Sequence, residues 1–241
     1  MLALDTIAKV TLSPLLIPQG IRIQKTALIL EEPAGPREGR IGQGPDLRLL
    51  ILGDSSAAGV GVGHQDDALS GQLSKALSQD FRVNWQLWAK NGETTRSMLA
   101  KLQDKPATQF DIAVSVLGVN DVTRGLSIRN WLMRQRAIFE RLEDRHGVKA
   151  IFVTGLPPID KFPLLPQPMR AILGAQAQRY DRTLKRMLAQ DANRTHYTLD
   201  LPDDPALMAV DGFHPGPQVY VAWGAQLADL IRPVASALAK A

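Results

Sequence analysis

The first residue that could carry out chemistry is Ser55, which follows a short apolar run ending at Gly53. A serine at the turn between a strand and a helix can act as a nucleophile, because backbone N–H groups at the start of the helix face a developing oxyanion. Gly53 permits the tight turn that this arrangement needs. A serine at the same position can also simply cap the helix, so this segment by itself leaves both roles open.

A base for this serine must come from the four histidines of the chain. Only His214 has an aspartate three residues before it, Asp211, in a turn that contains a glycine. An aspartate at that spacing can accept the Nδ1–H of the imidazole, which leaves Nε2 to take a proton from a serine. His146 lies at the end of a predicted helix, His196 begins a predicted strand, and His64 lies in a polar loop. We therefore predict His214 as the base, although a surface turn before a helix would carry the same pattern.

Two further segments offer hydrogen-bond donors. Asn120 lies in Gly118-Val-Asn-Asp121, directly after a predicted strand, and its side-chain amide can donate to an oxyanion. Gly92 follows another predicted strand and offers a backbone N–H. Each segment could instead form an ordinary turn or helix cap.

The elements that must position these residues alternate along the chain. Apolar runs predict strands at 47–52, 81–88, 111–117 and 149–154, with a weaker one at 197–201. Helical spacing predicts helices at 68–77, 131–143, 171–188 and 219–238. This alternation predicts an open, mostly parallel sheet with helices on both faces. Ligands bind at the carboxyl ends of such strands, so the polar segments should meet at one edge of the sheet.

Four short blocks resemble, in order, the signature blocks of the SGNH (GDSL-type) hydrolases. They are Gly53-Asp54-Ser55, Gly92, Gly118-x-Asn120-Asp121 and Asp211-x-x-His214, within residues 47–239. The resemblance implies an α/β fold, a three-layer α/β/α sandwich with a flavodoxin-like five-stranded parallel sheet. The nucleophile elbow of α/β-hydrolases, Gly-x-Ser-x-Gly, is absent because position 57 is alanine.

The resemblance also implies a mechanism. His214 deprotonates Ser55, which attacks an ester carbonyl, and Asp211 orients the histidine. The backbone N–H groups of Ser55 and Gly92 and the side chain of Asn120 form the oxyanion hole. Water then hydrolyses the acyl-enzyme, and neither a metal nor a cofactor is required. The expected partner is a small-molecule ester.

The loop at 155–169 is apolar and rich in proline, and it leaves a strand at the ligand-binding edge. We predict that Ile159, Phe162, Leu164 and Leu165 line a wall for a short or medium acyl chain. The loop could instead only fold against the following helix. Alternative activities are carbohydrate O-deacetylation and lysophospholipid or thioester hydrolysis. A catalytically silent binding module is the alternative outside enzymes, and the intact Ser, His and Asp argue against it.

Composition excludes several classes. The chain has 241 residues, of which 45% are hydrophobic, enough for one domain with a full core. It has no cysteine, which excludes disulfides, thiolate catalysis and cysteine metal sites. The net charge of +4 is spread along the chain without a basic block, so we expect no nucleic-acid partner.

Residues 1–46 are predicted to be an N-terminal extension of a hydrolase domain at 47–241. The extension ends in a Gly/Pro-rich stretch at 32–45 that is typical of a loop. It contains neither an apolar run long enough to span a bilayer nor the pattern of a cleaved signal peptide, so we expect a cytoplasmic protein. We expect the extension to pack on its own domain rather than on a membrane surface.

Overall fold

Six strands form one sheet in the order β1-β3-β2-β4-β5-β6. The structure is a computed structural model that describes residues 4–198 and 204–240. The strands are β1 (Glu38–Ile41), β2 (Asp46–Gly53), β3 (Arg82–Ala89), β4 (Ile112–Val116), β5 (Ala150–Thr154) and β6 (Arg194–Tyr197). β2 to β6 are parallel, in the order β3-β2-β4-β5-β6. This is the predicted flavodoxin-like order, in which the chain's first parallel strand lies inside the sheet.

Helices cover both faces of the sheet. They are α1 (Leu4–Thr11), α2 (Ser13–Thr26), α3 (Ser55–Ala58), α4 (Leu69–Leu77), α5 (Thr95–Asp104), α6 (Val119–Thr123), α7 (Ile128–His146), α8 (Met169–Leu188) and α9 (Pro217–Leu238). Side chains of α3, α4 and α9 form the core on one face, and side chains of α5, α7 and α8 form the core on the other. The predicted three-layer sandwich is confirmed.

The central strands read as continuous apolar runs because both of their faces are covered. Every residue of β4 and β5 is buried. Along β2, Leu49 and Ile51 join one core, whereas Leu50 and Leu52 join the other. This alternation follows from the two-residue period of a strand.

The fifth parallel strand differs from its prediction. It spans Arg194–Tyr197 rather than 197–201, and residues 199–203 lie outside the part of the chain that the structure describes. β6 is an edge strand in which only Tyr197 is buried. An edge strand with one buried side chain leaves no apolar run in the sequence. The closing helix continues through Pro233 as one element, Pro217–Leu238.

The sheet has a sixth strand that the sequence did not indicate. β1 lies within the stretch at 32–45 that was predicted to be a loop, and it pairs antiparallel with β3, Gly39 opposite Trp85. All four of its residues are exposed, so they show no alternation of apolar and polar side chains. β1 covers the edge of β3, which would otherwise present unpaired backbone groups.

The helices α1 and α2 precede this strand. Gln19 of α2 donates to the carbonyl of Gln167, at 2.7 Å, and Ile23 packs against the core beneath α8. No helix within residues 4–198 and 204–240 has both the length and the apolarity to cross a membrane. The division into an extension and a hydrolase domain stays a prediction.

Candidate active site

Ser55 lies at the carboxyl end of β2, as the first residue of α3. The carboxylate of Asp54 caps α3 by accepting the N–H of Ser56 at 3.1 Å. Gly53 is required before this turn, since a Cβ there would lie 2.4 Å from the carbonyl oxygen of Val116 on the neighbouring strand. The close contact between β2 and β4 thus determines where the serine hydroxyl projects.

The side chains of Ser55, His214 and Asp211 form a hydrogen-bonded chain. His214 Nε2 lies 2.9 Å from Ser55 Oγ, and His214 Nδ1 lies 2.5 Å from Asp211 Oδ2. The other carboxylate oxygen of Asp211 accepts the backbone N–H groups of Phe213 and His214, each at 3.0 Å. The turn that carries the acid and the base is therefore held by the acid itself, over 150 residues from the serine in the chain.

Hydrogen bonding keeps Asp211 ionised. Burial of its carboxyl raises the pKa, but the backbone and imidazole N–H groups of His214 and the N–H of Phe213 outweigh this effect. The pKa of Asp211 is therefore lowered. An ionised Asp211 accepts the Nδ1–H and stabilises the imidazolium that forms when Nε2 takes a proton.

The pKa of Asp54 is shifted in the opposite direction. Burial raises its pKa to about 7, the Ser56 N–H opposes this effect, and the carboxyl of Asp121 adds to it. The carboxylate of Asp54 caps α3, whereas the carboxylate that contacts His214 is that of Asp211. Proximity in sequence to Ser55 therefore does not make it the acid of the triad.

The segment around Gly92 lies beside the turn of the serine. The N–H of Lys90 donates to the carbonyl of Gly53 at 3.3 Å. Asn120 Nδ2 donates to the carbonyl of Glu93 at 3.0 Å, and Gly92 adopts a positive φ of 75°. A primary amide has two N–H donors, so this bond orients Asn120 and leaves a second N–H for a substrate. The structure thus brings the segments of Ser55, Gly92 and Asn120 together at one edge of the sheet.

Two further contacts support this edge, and sequence reasoning missed the second. Asp121 accepts the backbone N–H of Thr95 at 3.0 Å and its hydroxyl at 2.7 Å, which ties α6 to α5. Glu32 accepts the N–H of Asn91 at 2.6 Å and pairs with Arg37 at 2.9 Å. Asp121 belongs to the Gly118-x-Asn120-Asp121 block named from the sequence. No local pattern marks Glu32, because its partner lies 59 residues further along the chain.

The other histidines are engaged elsewhere. The imidazole of His146 lies 3.0 Å from the carbonyl of Thr108, and His196 lies 2.9 Å from the carboxylate of Asp181. His64 contacts Asp66 in its own loop, at 3.1 Å. Of the four histidines, all within the described residues, only His214 contacts Ser55.

A cavity of about 630 Å³ opens beside the histidine. Its floor includes Asp211, Phe213 and His214. One side is formed by the loop and α8, through Leu164, Leu165, Met169, Ile172 and Leu173. The facing side is formed by α2 and the residues that follow it, chiefly Leu16, Ile17, Gly20, Ile21, Ile23, Ala27, Leu28, Ile29 and Leu30. The cavity is therefore mostly aliphatic and lies between the N-terminal segment and the body of the protein.

Only two of the four residues predicted to form the acyl-chain wall line this cavity. Leu164 and Leu165 line the cavity, but Ile159 and Phe162 do not. Ile159 lies in a short 3₁₀ turn that buries it completely, and Phe162 is also buried in the core. The ring of Phe162 packs edge-on against Phe213, with the centroids 5.1 Å apart. Ile159 and Phe162 therefore support the loop and the histidine turn from beneath.

Comparisons with known proteins agree with this geometry. The family model described as GDSL-like Lipase/Acylhydrolase matches residues 51–222. A curated GDSL-like esterase of Mycobacterium tuberculosis is 26% identical over 141 residues, which is 57% of this chain and 44% of that protein. The matched region thus spans less than half the length of that relative.

Solved structures share the fold. An aryl esterase of M. smegmatis superposes with a TM-score of 0.60 at 17% identity, covering 78% of this chain and 99% of that one. A family 3 carbohydrate esterase of Clostridium thermocellum gives a TM-score of 0.65 at 15% identity, covering 80% and 99%. The carbohydrate acetylesterase Est24 of Sinorhizobium meliloti gives 0.57 at 13%, covering 78% and 99%. The shared architecture extends over about four-fifths of this chain.

Proposed function

Because this chain belongs to the GDSL-like lipase/acylhydrolase family, we propose that it hydrolyses carboxylic esters of short to medium acyl chain through an acyl-enzyme on Ser55. The hydrogen-bonded chain Ser55–His214–Asp211 is the observation that carries the proposal. It supplies a nucleophile, a base and an orienting acid at the edge of the sheet where ligands bind in this architecture.

Acylation begins with proton transfer. His214 Nε2 takes the proton of Ser55 Oγ as the oxygen attacks the carbonyl carbon of the ester. Asp211 stabilises the imidazolium, which then gives its proton to the leaving alcohol oxygen as the carbon–oxygen bond breaks. In deacylation, the same Nε2 takes a proton from water, the water oxygen attacks the acyl carbon, and Ser55 leaves with the proton restored.

The oxyanion of each tetrahedral intermediate is stabilised by three donors. They are the backbone N–H groups of Ser55 and Gly92 and the free amide N–H of Asn120. The bond from Asn120 to the Glu93 carbonyl supports this role, since it holds the amide in place before the substrate binds. Donors oriented in advance need no reorganisation when negative charge develops.

The apolar cavity supports an acyl chain rather than a sugar as the bound group. Leu164 and Leu165 provide aliphatic surface next to Phe213 and the histidine. A sugar would need polar partners for its hydroxyl groups, and unpaired polar groups are costly to bury. Three activities compete with this proposal: carbohydrate O-deacetylation, lysophospholipid hydrolysis and thioester hydrolysis.

The proposal is tested with purified protein, a series of p-nitrophenyl esters, an acetylated xylose, a lysophospholipid and an acyl-thioester. We expect turnover of the p-nitrophenyl esters, and loss of that turnover in Ser55→Ala. Ser56→Ala is the matched control, because it removes the adjacent hydroxyl but keeps the N–H that Asp54 accepts. An organophosphonate should add its mass to wild type and Ser56→Ala, and not to Ser55→Ala. Turnover retained in Ser55→Ala, or turnover of only the sugar acetate, would contradict the proposal.

A further inference from the structure

The apolar cavity has two sides, and the family match accounts for only one of them. The loop and α8 lie within the matched residues 51–222, whereas α2 and residues 27–30 lie before them. The N-terminal segment therefore completes the cavity from outside the matched region. Most of its lining residues are isoleucine, leucine or alanine.

We propose that α2 and residues 27–30 form the second wall of an acyl-binding groove, in which the chain of an amphiphilic ester lies between α2 and α8. This assignment rests on the proposed ester hydrolysis. The groove begins at His214 and Phe213, so an ester carbonyl at Ser55 would direct its acyl chain along the groove. The natural substrate class is thus an ester of an aliphatic acid longer than acetate.

The exposure of the groove residues supports an apolar occupant. Ile17 and Ile21 line the groove on α2, and they are 61% and 48% exposed. Large aliphatic side chains exposed next to a catalytic histidine gain free energy when an apolar chain covers them. Each buried methylene of the substrate is worth about fourfold in binding.

The two walls approach each other closely at Gly20. A Cβ built at this position would lie 3.8 Å from Met169 Cε, on the opposite wall. Gly20 is inside a helix, where a larger residue favours the helical backbone. Replacing Gly20 by phenylalanine should therefore fill the groove without opposing the fold of α2.

Binding is tested without catalysis in the Ser55→Ala background. The probe is cis-parinaric acid, a fluorescent fatty acid, displaced by decanoic acid. We expect wild-type-like binding in Ser55→Ala, and at least about tenfold weaker binding when Gly20→Phe is added, because several methylenes lose their contacts. Leu15→Ser is the matched control, since Leu15 lies on the same helix and is 48% exposed but does not line the groove.

The same variants are then compared in an otherwise wild-type chain, on p-nitrophenyl acetate and p-nitrophenyl decanoate. In Gly20→Phe, the ratio of kcat/KM for the decanoate to kcat/KM for the acetate should fall at least about tenfold. The double change Ile17→Ser with Ile21→Ser should act in the same direction, and Leu15→Ser should change neither substrate. Circular dichroism and the melting temperature establish that each variant is folded.

The two proposals fail in different ways. If no ester is hydrolysed but Gly20→Phe still weakens the binding of parinaric acid, the groove stands and the proposed reaction is wrong. If esters are hydrolysed and a folded Gly20→Phe protein keeps both its binding and its chain-length preference, the groove is wrong. Absence of any parinaric acid binding to Ser55→Ala also overturns the groove.

Discussion

At the scale of single residues, the pKa values of two carboxylates near Ser55 are shifted in opposite directions. Asp211 receives three N–H donors, and its pKa is lowered, whereas Asp54 is buried with fewer donors, and its pKa is raised to about 7. The difference follows from hydrogen bonding to the charged form against desolvation of that form. Environment rather than distance along the chain thus distinguishes the carboxylate that contacts His214 from the one that caps a helix.

Asp54 should make the stability of the protein depend on pH. Because its pKa is raised in the folded state, the folded protein favours the protonated carboxyl of Asp54. This contribution to the free energy of unfolding is complete below the unfolded pKa of 3.8 and is lost as the pH rises through about 7. Asp54→Asn keeps an oxygen that can accept the Ser56 N–H and cannot ionise. The free energy of unfolding of wild type, relative to Asp54→Asn, should therefore fall between about pH 4 and pH 8, by on the order of 4 kcal/mol.

Urea denaturation of the two proteins across that pH range measures the difference. Asp80→Asn is the control, because Asp80 is exposed and its pairing with Arg232 lies away from the site. Parallel stability curves for wild type and Asp54→Asn would contradict the assignment of a raised pKa.

Asn120 is the second residue with a specific expected effect. Asn120→Ala should lower kcat by roughly 10²–10³-fold with little change in KM, because an oxyanion donor matters most when negative charge develops. Steady-state kinetics on p-nitrophenyl butyrate measure both constants. Thr183→Ala on α8 is the control, since its hydroxyl donates to the carbonyl of Arg179 on its own helix and it does not line the cavity. An effect on KM alone would assign Asn120 to ground-state binding.

At the scale of elements, the site depends on loops that are held by contacts from outside the parallel sheet. Glu32 precedes β1 and accepts the N–H of Asn91, next to the proposed donor Gly92. Its partner Arg37 also donates to the carbonyl of Ala89 at the end of β3. The N-terminal segment therefore holds the Gly92 loop as well as lining the groove.

Glu32→Ala should lower kcat by roughly ten- to a hundredfold and leave KM nearly unchanged, because a misplaced donor weakens the transition state more than substrate binding. Glu32→Gln should recover part of the loss, since its carbonyl oxygen can still accept the Asn91 N–H. Glu31→Ala is the control at the exposed neighbouring residue. Equal effects of Glu31→Ala and Glu32→Ala on kcat would refute this positioning role.

At the scale of the whole molecule, residues 1–46 divide into two parts with different roles. Residues 13–30 line the groove, while Glu32 and β1 contact β3 and the loop that follows it. We propose that the hydrolase domain begins near residue 31, rather than at residue 47 as the sequence predicts.

Truncation tests this boundary. Deleting residues 1–30 should leave a folded protein that hydrolyses p-nitrophenyl acetate and no longer prefers longer chains. Deleting residues 1–46 should lower the melting temperature and kcat further, because it exposes the edge of β3 and removes Glu32. Thermal unfolding and kinetics on both truncations decide the matter. Equal melting temperatures for the two would place the boundary at 47 instead.

The sequence by itself determined the parallel sheet and the residues at its edge. Strands that are buried on both faces appear in the sequence as apolar runs. Ser55 and Asn120 follow such strands closely, and Asp211 and His214 lie in a turn. Parallel strands place their carboxyl ends at one edge, which groups the segments of Ser55 and Asn120. The resemblance of the four blocks added the Asp211–His214 turn. The hydrogen bonds that join the serine, histidine and aspartate are seen in the structure.

Only the tertiary structure decided the rest. β1 has four exposed residues, so no pattern of burial marks it before its partner strand is known. Ile159 and Leu165 look alike in the sequence and both are buried in the same core, yet only Leu165 also lines the cavity. The facing wall comes from a helix more than 130 residues away in the chain. Composition records that a side chain is apolar, but which surface it meets depends on contacts between distant segments.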